Sequence, residues 1–480
     1  MILADGARAD VLEDLLKAGK LPAIGEQMVQ KGAYRHAVST FPSTTGPAYL
    51  PYLTGCYPGT CNLPGIRWFD KDCYATRRFS KNRFRSYVGA ESFYMNGDIL
   101  PEKKTLFDLM PRSVNIFSCI NRGVSFRGHK TKFSRIWYWY YAHLTDHWGL
   151  VDRAAASMTV EALQERPEFL FVVFPGIDEF SHLSSPFHPR VIEAYQELDR
   201  AVGKIVQTLK KRGEWEETIL LIVSDHGLSE TNRHFPLNKF LEGSGIRTLY
   251  YPKVVFKGRF EAASMVSGNA MANVYFKNGD GWRGRTSWEA LQKRSDRIVE
   301  RLGEQPEVDL LMTQKEDGSI RVSSKRGEAV ISDLTPPSAP LSCTTQERGW
   351  GRGLHYQVIG SDPFGYHNLP GVMTDRESLD LTYGTDYPDA PVQILQIFRS
   401  GRAGDLILSA AKGSDLRLRY EIHEHKSSHG SLHWEHMKVP LVSNVPLAPG
   451  PIRSVDVFPT VLKLLGHAVP REIDGISMTP

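Results

Sequence analysis

Several broad protein classes are excluded by what this chain of 480 residues lacks. It has five cysteines, Cys56, Cys61, Cys73, Cys119 and Cys343. They are odd in number and show no C-x-x-C pairing, so they read as reduced thiols rather than a disulfide framework. No run reaches the ~18–20 apolar residues of a membrane span, no signal peptide precedes the first strand, and no internal repeat or low-complexity tract is present. No excess of one charge sign marks a general nucleic-acid binder, because 58 Lys and Arg against 54 Asp and Glu leave a net charge of +4. What is present, 41% hydrophobic and 23% charged residues, is ordinary for a soluble globular protein. A cytoplasmic location is the expectation. Met1-Ile2-Leu3-Ala4 supplies four strand residues where about five to six are usual, so the expectation is either a natural start upstream or a strand short at its outer end.

Strand and helix patterns alternate through the first half, which implies a parallel sheet covered on both faces. Asp10–Gly32 carries apolar residues at helical spacing, broken at Pro22. Glu168–Ile177 reads as a strand. Pro189–Arg212 reads as an amphipathic helix, with Val191, Ala194, Leu198, Val202, Ile205 and Leu209 three or four apart. Thr218–Ser224 reads as a buried strand. From about 243 to 395 Gly- and Pro-rich stretches such as Thr335–Pro340 break the pattern. It resumes with Val392–Phe398, Asp405–Ser409 and Val439–Val442, and closes with a helix over Val455–Leu465. The expected architecture is an α/β three-layer sandwich with a mostly parallel central sheet. Residues 1–242 and 396–480 form its core, and 243–395 form an inserted cap that sets substrate specificity.

Metal-type side chains fall at strand ends or turns. Asp5-Gly6 follows the first strand, Asp178 and His182 follow Glu168–Ile177, and Asp225-His226-Gly227 follows Thr218–Ser224. His429-Gly430 follows the Leu418–His423 segment. In open α/β sheets ligands collect at the carboxyl ends of strands. Three carboxylates and three imidazoles suit zinc, with manganese as the second choice. Each position alone is also consistent with a helix cap or a turn; their recurrence in one context is not. Ser43-Thr44-Thr45-Gly46-Pro47 adds a polar turn entering a helix over Ala48–Leu53. There Thr44 is read as a cap and Thr45 as a nucleophile needing metal activation.

This order of motifs, together with Leu53-Thr54-Gly55-x-Tyr57-Pro58, His436-Met437-x-Val439-Pro440-Leu441 and Val455-Asp456-Val457-x-Pro459-Thr460, resembles the alkaline phosphatase superfamily. Within it the chain looks most like the type I phosphodiesterase/nucleotide pyrophosphatase branch. The resemblance covers residues 1–245 and about 395–480. It implies two metal ions, one held by Asp178, His182 and His429, the other by Asp5, Thr45, Asp225 and His226. It further implies a phosphodiesterase that acts on a small anionic phosphoester through a phosphothreonine at Thr45. His423, His425, His433 and His436 crowd the third imidazole. His429 is preferred because Gly430 permits a tight turn and His-Gly matches the family.

The chain departs from its relatives in two places. Tyr49 stands where they usually carry His, and Pro64-Gly65-Ile66 where they often have His-Gly-Ile. The second departure leaves Asn62 and Arg67 as candidates for binding the remaining phosphate oxygen, Arg67 being the better charged clamp. Cys56-Tyr57-Pro58-Gly59-Thr60 lacks the arginine of a sulfatase signature. Alternative readings are a phosphomonoesterase, phosphonate hydrolase or phosphotransferase on the same site, and a catalytically silent binding protein. The basic, aromatic stretch Arg67–Arg85 reads as an anion-binding segment or a solvated surface. Trp137–Tyr141 reads as buried packing, with a lipid- or partner-facing patch as the alternative. Nothing indicates specific nucleic-acid binding or an oligomeric state.

Overall fold

The three apolar runs that precede Asp5, Asp178 and Asp225 become neighbours in the middle of one sheet. The computed structural model describes residues 1–77, 83–251, 259–279, 281–334, 352–417 and 424–479. Arg78, Phe79, Lys81, Thr335–Pro340, Cys343 and Leu418–His423 lie outside that set. The central sheet has seven strands: β1 Ile2–Ala4, β2 Ala33–Val38, β3 Ser113–Ile116, β4 Phe169–Phe174, β5 Leu221–Val223, β6 Lys438–Ser443 and β7 Ile452–Arg453. Their spatial order is β7-β2-β6-β5-β1-β4-β3. All run parallel except β6, which is antiparallel to both β2 and β5. The mostly parallel α/β sheet expected from the sequence is therefore present.

Burial explains why these segments are nearly continuous apolar runs. Ile2, Leu3 and Ala4, like Leu221, Ile222 and Val223, are buried at every position. Successive strand side chains point to opposite faces, so both faces are covered. The helix Pro189–Lys211 buries the predicted stripe Val191, Ala194, Leu198, Val202, Ile205 and Leu209. Full burial of one such aliphatic side chain stabilises the fold by about 1.5–3 kcal/mol.

Registry sets the site. Ala4 pairs with Phe174, Leu3 with Val223, and Val38 with Lys438. The carboxyl ends of β1, β2, β4 and β5 thus share one sheet edge with the amino end of β6.

Two local expectations need correction. The run Glu168–Ile177 stops being a strand at Phe174, and Gly176–Leu183 is a helix. Asp178 and His182 therefore sit one helical turn apart on the same face. Asp405–Ser409, expected to continue the core, instead forms Leu406–Ala410 in a second, nine-stranded sheet, between Met271–Phe276 and Val308–Gln314. An apolar run cannot by itself announce which of two sheets it joins.

Candidate metal centre

Five adjacent strands deliver the predicted residues to one pocket. Asp5 follows β1, Asp225 and His226 follow β5, and Asp178 and His182 ride the helix after β4. Thr45 lies in the loop after β2, and His429 precedes β6. The structure brings all seven together. Ligand atoms of Asp5, Asp225 and His226 lie within 4.8 Å of one another, and those of Asp178, His182 and His429 do the same. The two triads share a wall, since the rings of His226 and His429 stack 3.6 Å apart at 6°.

Each imidazole is fixed for ligation. His182 Nδ1 lies 2.8 Å from the Ser427 carbonyl, His429 Nδ1 2.9 Å from that of Ser43, and His226 Nδ1 3.1 Å from that of Gly227. A carbonyl oxygen only accepts, so each Nδ1 carries the proton and each Nε2 keeps its lone pair. This is the arrangement in which a backbone partner orients a metal-binding histidine. His182 Nε2 is 3.4 Å from Asp178 Oδ1, and His226 Nε2 is 3.2 Å from Asp225 Oδ2.

Thr45 completes the second group. Its Oγ1 is 3.4 Å from Asp5 Oδ1 and 3.2 Å from His226 Nε2. The loop that carries it is tied to the motifs it serves: Ser39 Oγ donates to the Asp225 carbonyl, and Ser43 supplies the acceptor for His429. Thr44 does not cap the following helix; its buried hydroxyl has no hydrogen-bond partner among the described residues.

Tyr49 is the member that sequence reasoning passed over. Its hydroxyl donates to Asp5 Oδ2 at 2.5 Å, which leaves Oδ1 turned toward Thr45. The only sequence signal was negative, a tyrosine where relatives usually carry histidine.

The electrostatics fit a cation. Asp5, Asp178 and Asp225 are all buried, and their ion pairs among the described residues are with imidazoles alone. Burial pushes Asp5 up to about 6, against a lowering effect of its Tyr49 hydrogen bond. Burial and then the neighbouring Asp5 charge drive Asp178 and Asp225 well above the usual carboxylate range. Burial pushes His182 down to about 4 and holds His226 and His429 well below the ordinary imidazole value. Asp178 Oδ1 and Asp225 Oδ2 accept no hydrogen bond among the described residues. Buried carboxylates that face imidazoles alone are costly unless a cation accompanies them, so the residues present suit divalent metal.

The second sheet forms part of the wall. The hairpin Ala262–Ser267/Met271–Phe276 puts its turn against His429: His429 N donates to the Gly268 carbonyl and Ala270 N to the His429 carbonyl. Gly430 has a φ of 111°, and a Cβ there would come 2.7 Å from the Ser267 carbonyl oxygen, so only glycine fits. The other histidines separate by their partners. His436 Nε2 is 2.8 Å from Ser229 Oγ, His433 caps Trp434–Met437, and His425 meets Asn269 at 2.8 Å beside the His182 ring.

The structure does not bring the substrate-binding candidates into this group. Asn62 Oδ1 accepts from Ser400 Oγ at 2.8 Å, and Arg67 Nε donates to Ser86 Oγ at 3.1 Å. Arg67 stands one link from His429's wall, through its backbone N–H to Ser267 Oγ at 3.5 Å. Elsewhere in Arg67–Arg85, Lys71 and Arg85 are buried in ion pairs with Asp405 and Asp98, so these two are neither solvated nor free for an anion.

Comparisons with known proteins bear on the family and the fold. Residues 1–432 match the family described as type I phosphodiesterase / nucleotide pyrophosphatase. Ectonucleotide pyrophosphatase/phosphodiesterase family member 1 of Mus musculus is 24% identical over 264 residues, 52% of this chain and 26% of that protein. GPI ethanolamine phosphate transferase 1 of Gibberella zeae is 20% identical over 247 residues, 49% of this chain and 24% of that protein. The chain thus spans about a quarter of the length of these two relatives. Among solved structures, murine ectonucleotide pyrophosphatase/phosphodiesterase 5 superposes with a TM-score of 0.58 at 13% identity, covering 98% of this chain and 96% of the other. Phosphonoacetate hydrolase from Sinorhizobium meliloti does so with 0.56 at 14% identity, covering 97% and 94%. The fold is therefore the alkaline phosphatase-like one, and the chain belongs to the type I phosphodiesterase/nucleotide pyrophosphatase family.

Proposed function

We propose that this chain hydrolyses phosphodiesters through a phosphothreonine at Thr45 in a metal-dependent reaction. The observation that carries the reading is the set of three imidazoles, each held by Nδ1 on a backbone carbonyl, with His182 and His226 turning Nε2 toward buried carboxylates and His429 grouped with Asp178 and His182. Asp178, His182 and His429 would hold one ion, and Asp5, Asp225, His226 and Thr45 the other. The donor set favours zinc, with manganese second. When bound, two such ions neutralise charge on phosphoryl oxygens and make a hydroxyl a competent nucleophile at neutral pH.

The protein's own part is orientation. Tyr49 holds Asp5 by one oxygen, so the other stays directed at Thr45. Thr45 Oγ1 gives its proton to solvent water and forms a bond to phosphorus as the bond to the leaving alkoxide breaks, and the alkoxide takes a proton back from water. A water molecule then cleaves the phosphothreonine, which releases the phosphomonoester and restores the hydroxyl. Two relatives, a pyrophosphatase/phosphodiesterase and an ethanolamine phosphate transferase, are named for chemistry at phosphorus, which supports the reaction class.

The test is to strip the protein with chelator and assay chromogenic phosphodiester and phosphomonoester substrates before and after zinc or manganese is returned. The expected result is loss on chelation, recovery on metal return, and faster turnover of the diester. Diester hydrolysis indifferent to chelation would contradict the proposal.

A further inference from the structure

The helix Ser134–Thr145 turns its bulky apolar side chains outward. Phe133, just before it, is 80% exposed, Trp137 57%, Tyr140 55% and Leu144 85%. Steps of four, three and four residues put these side chains on one face. Phe126, 73% exposed, extends the stripe, with its ring 6.4 Å from that of Phe133. The inner face is already committed, because Tyr138 and Trp139 pack on Phe117 and Ala142 is buried. The expectation of buried packing for Trp137–Tyr141 therefore holds only for that inner side. A solvent-facing helix normally shows polar residues there, and a contiguous apolar stripe marks an interaction surface.

Charge identifies what covers it. Between Phe126 and Asp146 the chain carries Arg127, Lys130, Lys132 and Arg135, against Asp146 as the one acid. Lys132 Nζ lies 2.7 Å from the Phe126 ring centroid and 5.4 Å from that of Phe133, in the middle of the stripe's amino end. Among the described residues the ion pairs to acids of other elements lie at its edges, where Glu165 pairs with Lys130 and Glu179 lies 4.0 Å from His143. Two copies meeting stripe to stripe would set Lys132 and Arg127 of one against those of the other. An anionic bilayer accepts both features, since aromatic rings and leucine enter the boundary between headgroups and acyl chains while Lys and Arg meet lipid phosphates.

We propose that the stripe Phe126, Phe133, Trp137, Tyr140 and Leu144, with Lys132 and Arg127, docks this protein on an anionic lipid surface. The contact of His143 with Glu179, next to Asp178, places the docked face beside the helix that carries Asp178 and His182. The inference does not depend on the reaction assigned to Thr45.

Sedimentation of the full chain with vesicles of phosphatidylcholine, alone or mixed with phosphatidylserine, tests it. The expected result is binding to the mixed vesicles that weakens as salt is raised. Phe133→Ser or Leu144→Ser should each weaken it roughly ten-fold. Lys132→Glu should weaken it too, and Phe133→Ser and Leu144→Ser should keep the parent's thermal midpoint because those side chains are exposed. Failure to pellet with either vesicle, equal binding to both, or unchanged binding by the variants would overturn the proposal. So would concentration-dependent self-association that Leu144→Ser abolishes, which would assign the stripe to a second copy.

Discussion

At the scale of single residues the account turns on how Thr45 is held. His226 faces Thr45, Asp5 and Asp225 through one nitrogen, so His226→Gln should disable the nucleophile itself and not merely loosen the fold. Groups that act as a unit are strongly non-additive. A double variant Thr45→Ala/His226→Gln should therefore be no slower than Thr45→Ala alone, and steady-state rates on a chromogenic diester will show whether the losses multiply instead. Tyr49→Phe removes only the hydroxyl that fixes Asp5 Oδ2, and loss of such an outer partner typically costs about 10–100-fold in metal affinity or activity. Titration of chelator-stripped protein with zinc will measure it; unchanged affinity and unchanged rate would assign Tyr49 to packing alone. The residues that bear charge were legible in the sequence, because Asp and His in tandem or four apart at strand ends are uncommon as a set. Tyr49 was not legible as a partner of Asp5, since a phenol's role depends on which carboxylate lies across the pocket from it.

At the scale of elements, the hairpin Ala262–Ser267/Met271–Phe276 explains why one histidine among several occupies the site. The turn of that hairpin grips the His429 backbone on both sides, while Gly430 passes over it at a φ that favours glycine. Gly430→Ala should cost about 1–3 kcal/mol of local strain. It should reduce the bound metal from two ions to one per chain by displacing His429 while Asp5, Asp225 and His226 keep theirs. Metal content after dialysis checks this, and two ions retained would contradict the role given to the turn. The Gly430 tight turn was readable in the sequence; that it faces the hairpin turn at Gly268 was not, because a pairing more than a hundred residues apart leaves no local trace. Asp178 and His182 show the reverse case. Their spacing of four was visible, but an apolar run that passes straight from strand into helix hid the boundary at Phe174.

At the scale of the molecule, the cost of burying so many titratable groups makes metal and pH act together. In the metal-free protein Asp5 is pushed up from 3.8 to about 6, so its contribution favours folding below pH 4 and is lost as pH rises through 6. His182, pushed down from 6.5 to about 4, runs the other way: its contribution is present above pH 6.5 and lost as pH falls toward 4. Between those limits the imidazole is already neutral and ready to bind, so protonation of the carboxylate sets the acid limit for metal. The rise in unfolding temperature on adding zinc should therefore shrink as pH falls through about 6, where Asp5 takes up its proton, with Asp178 and Asp225, also raised well above the usual carboxylate range, adding to the loss. Calorimetric scans with and without zinc across that range will test the sign, and an increment that grows on acidification would contradict it. The central parallel sheet was legible from three apolar runs ending in acidic turns. The nine-stranded sheet was not, since its strands are mostly antiparallel and one of them, Leu406–Ala410, comes from far along the chain to lie between Met271–Phe276 and Val308–Gln314. All these arguments meet in one claim, that Thr45 is the group bonded to phosphorus during turnover. The most direct measurement compares wild type and Thr45→Ala on a chromogenic phosphodiester at saturating metal. The account predicts a fall of at least about a thousand-fold, with the fold and unfolding temperature essentially kept, whereas an undiminished rate in Thr45→Ala would contradict it.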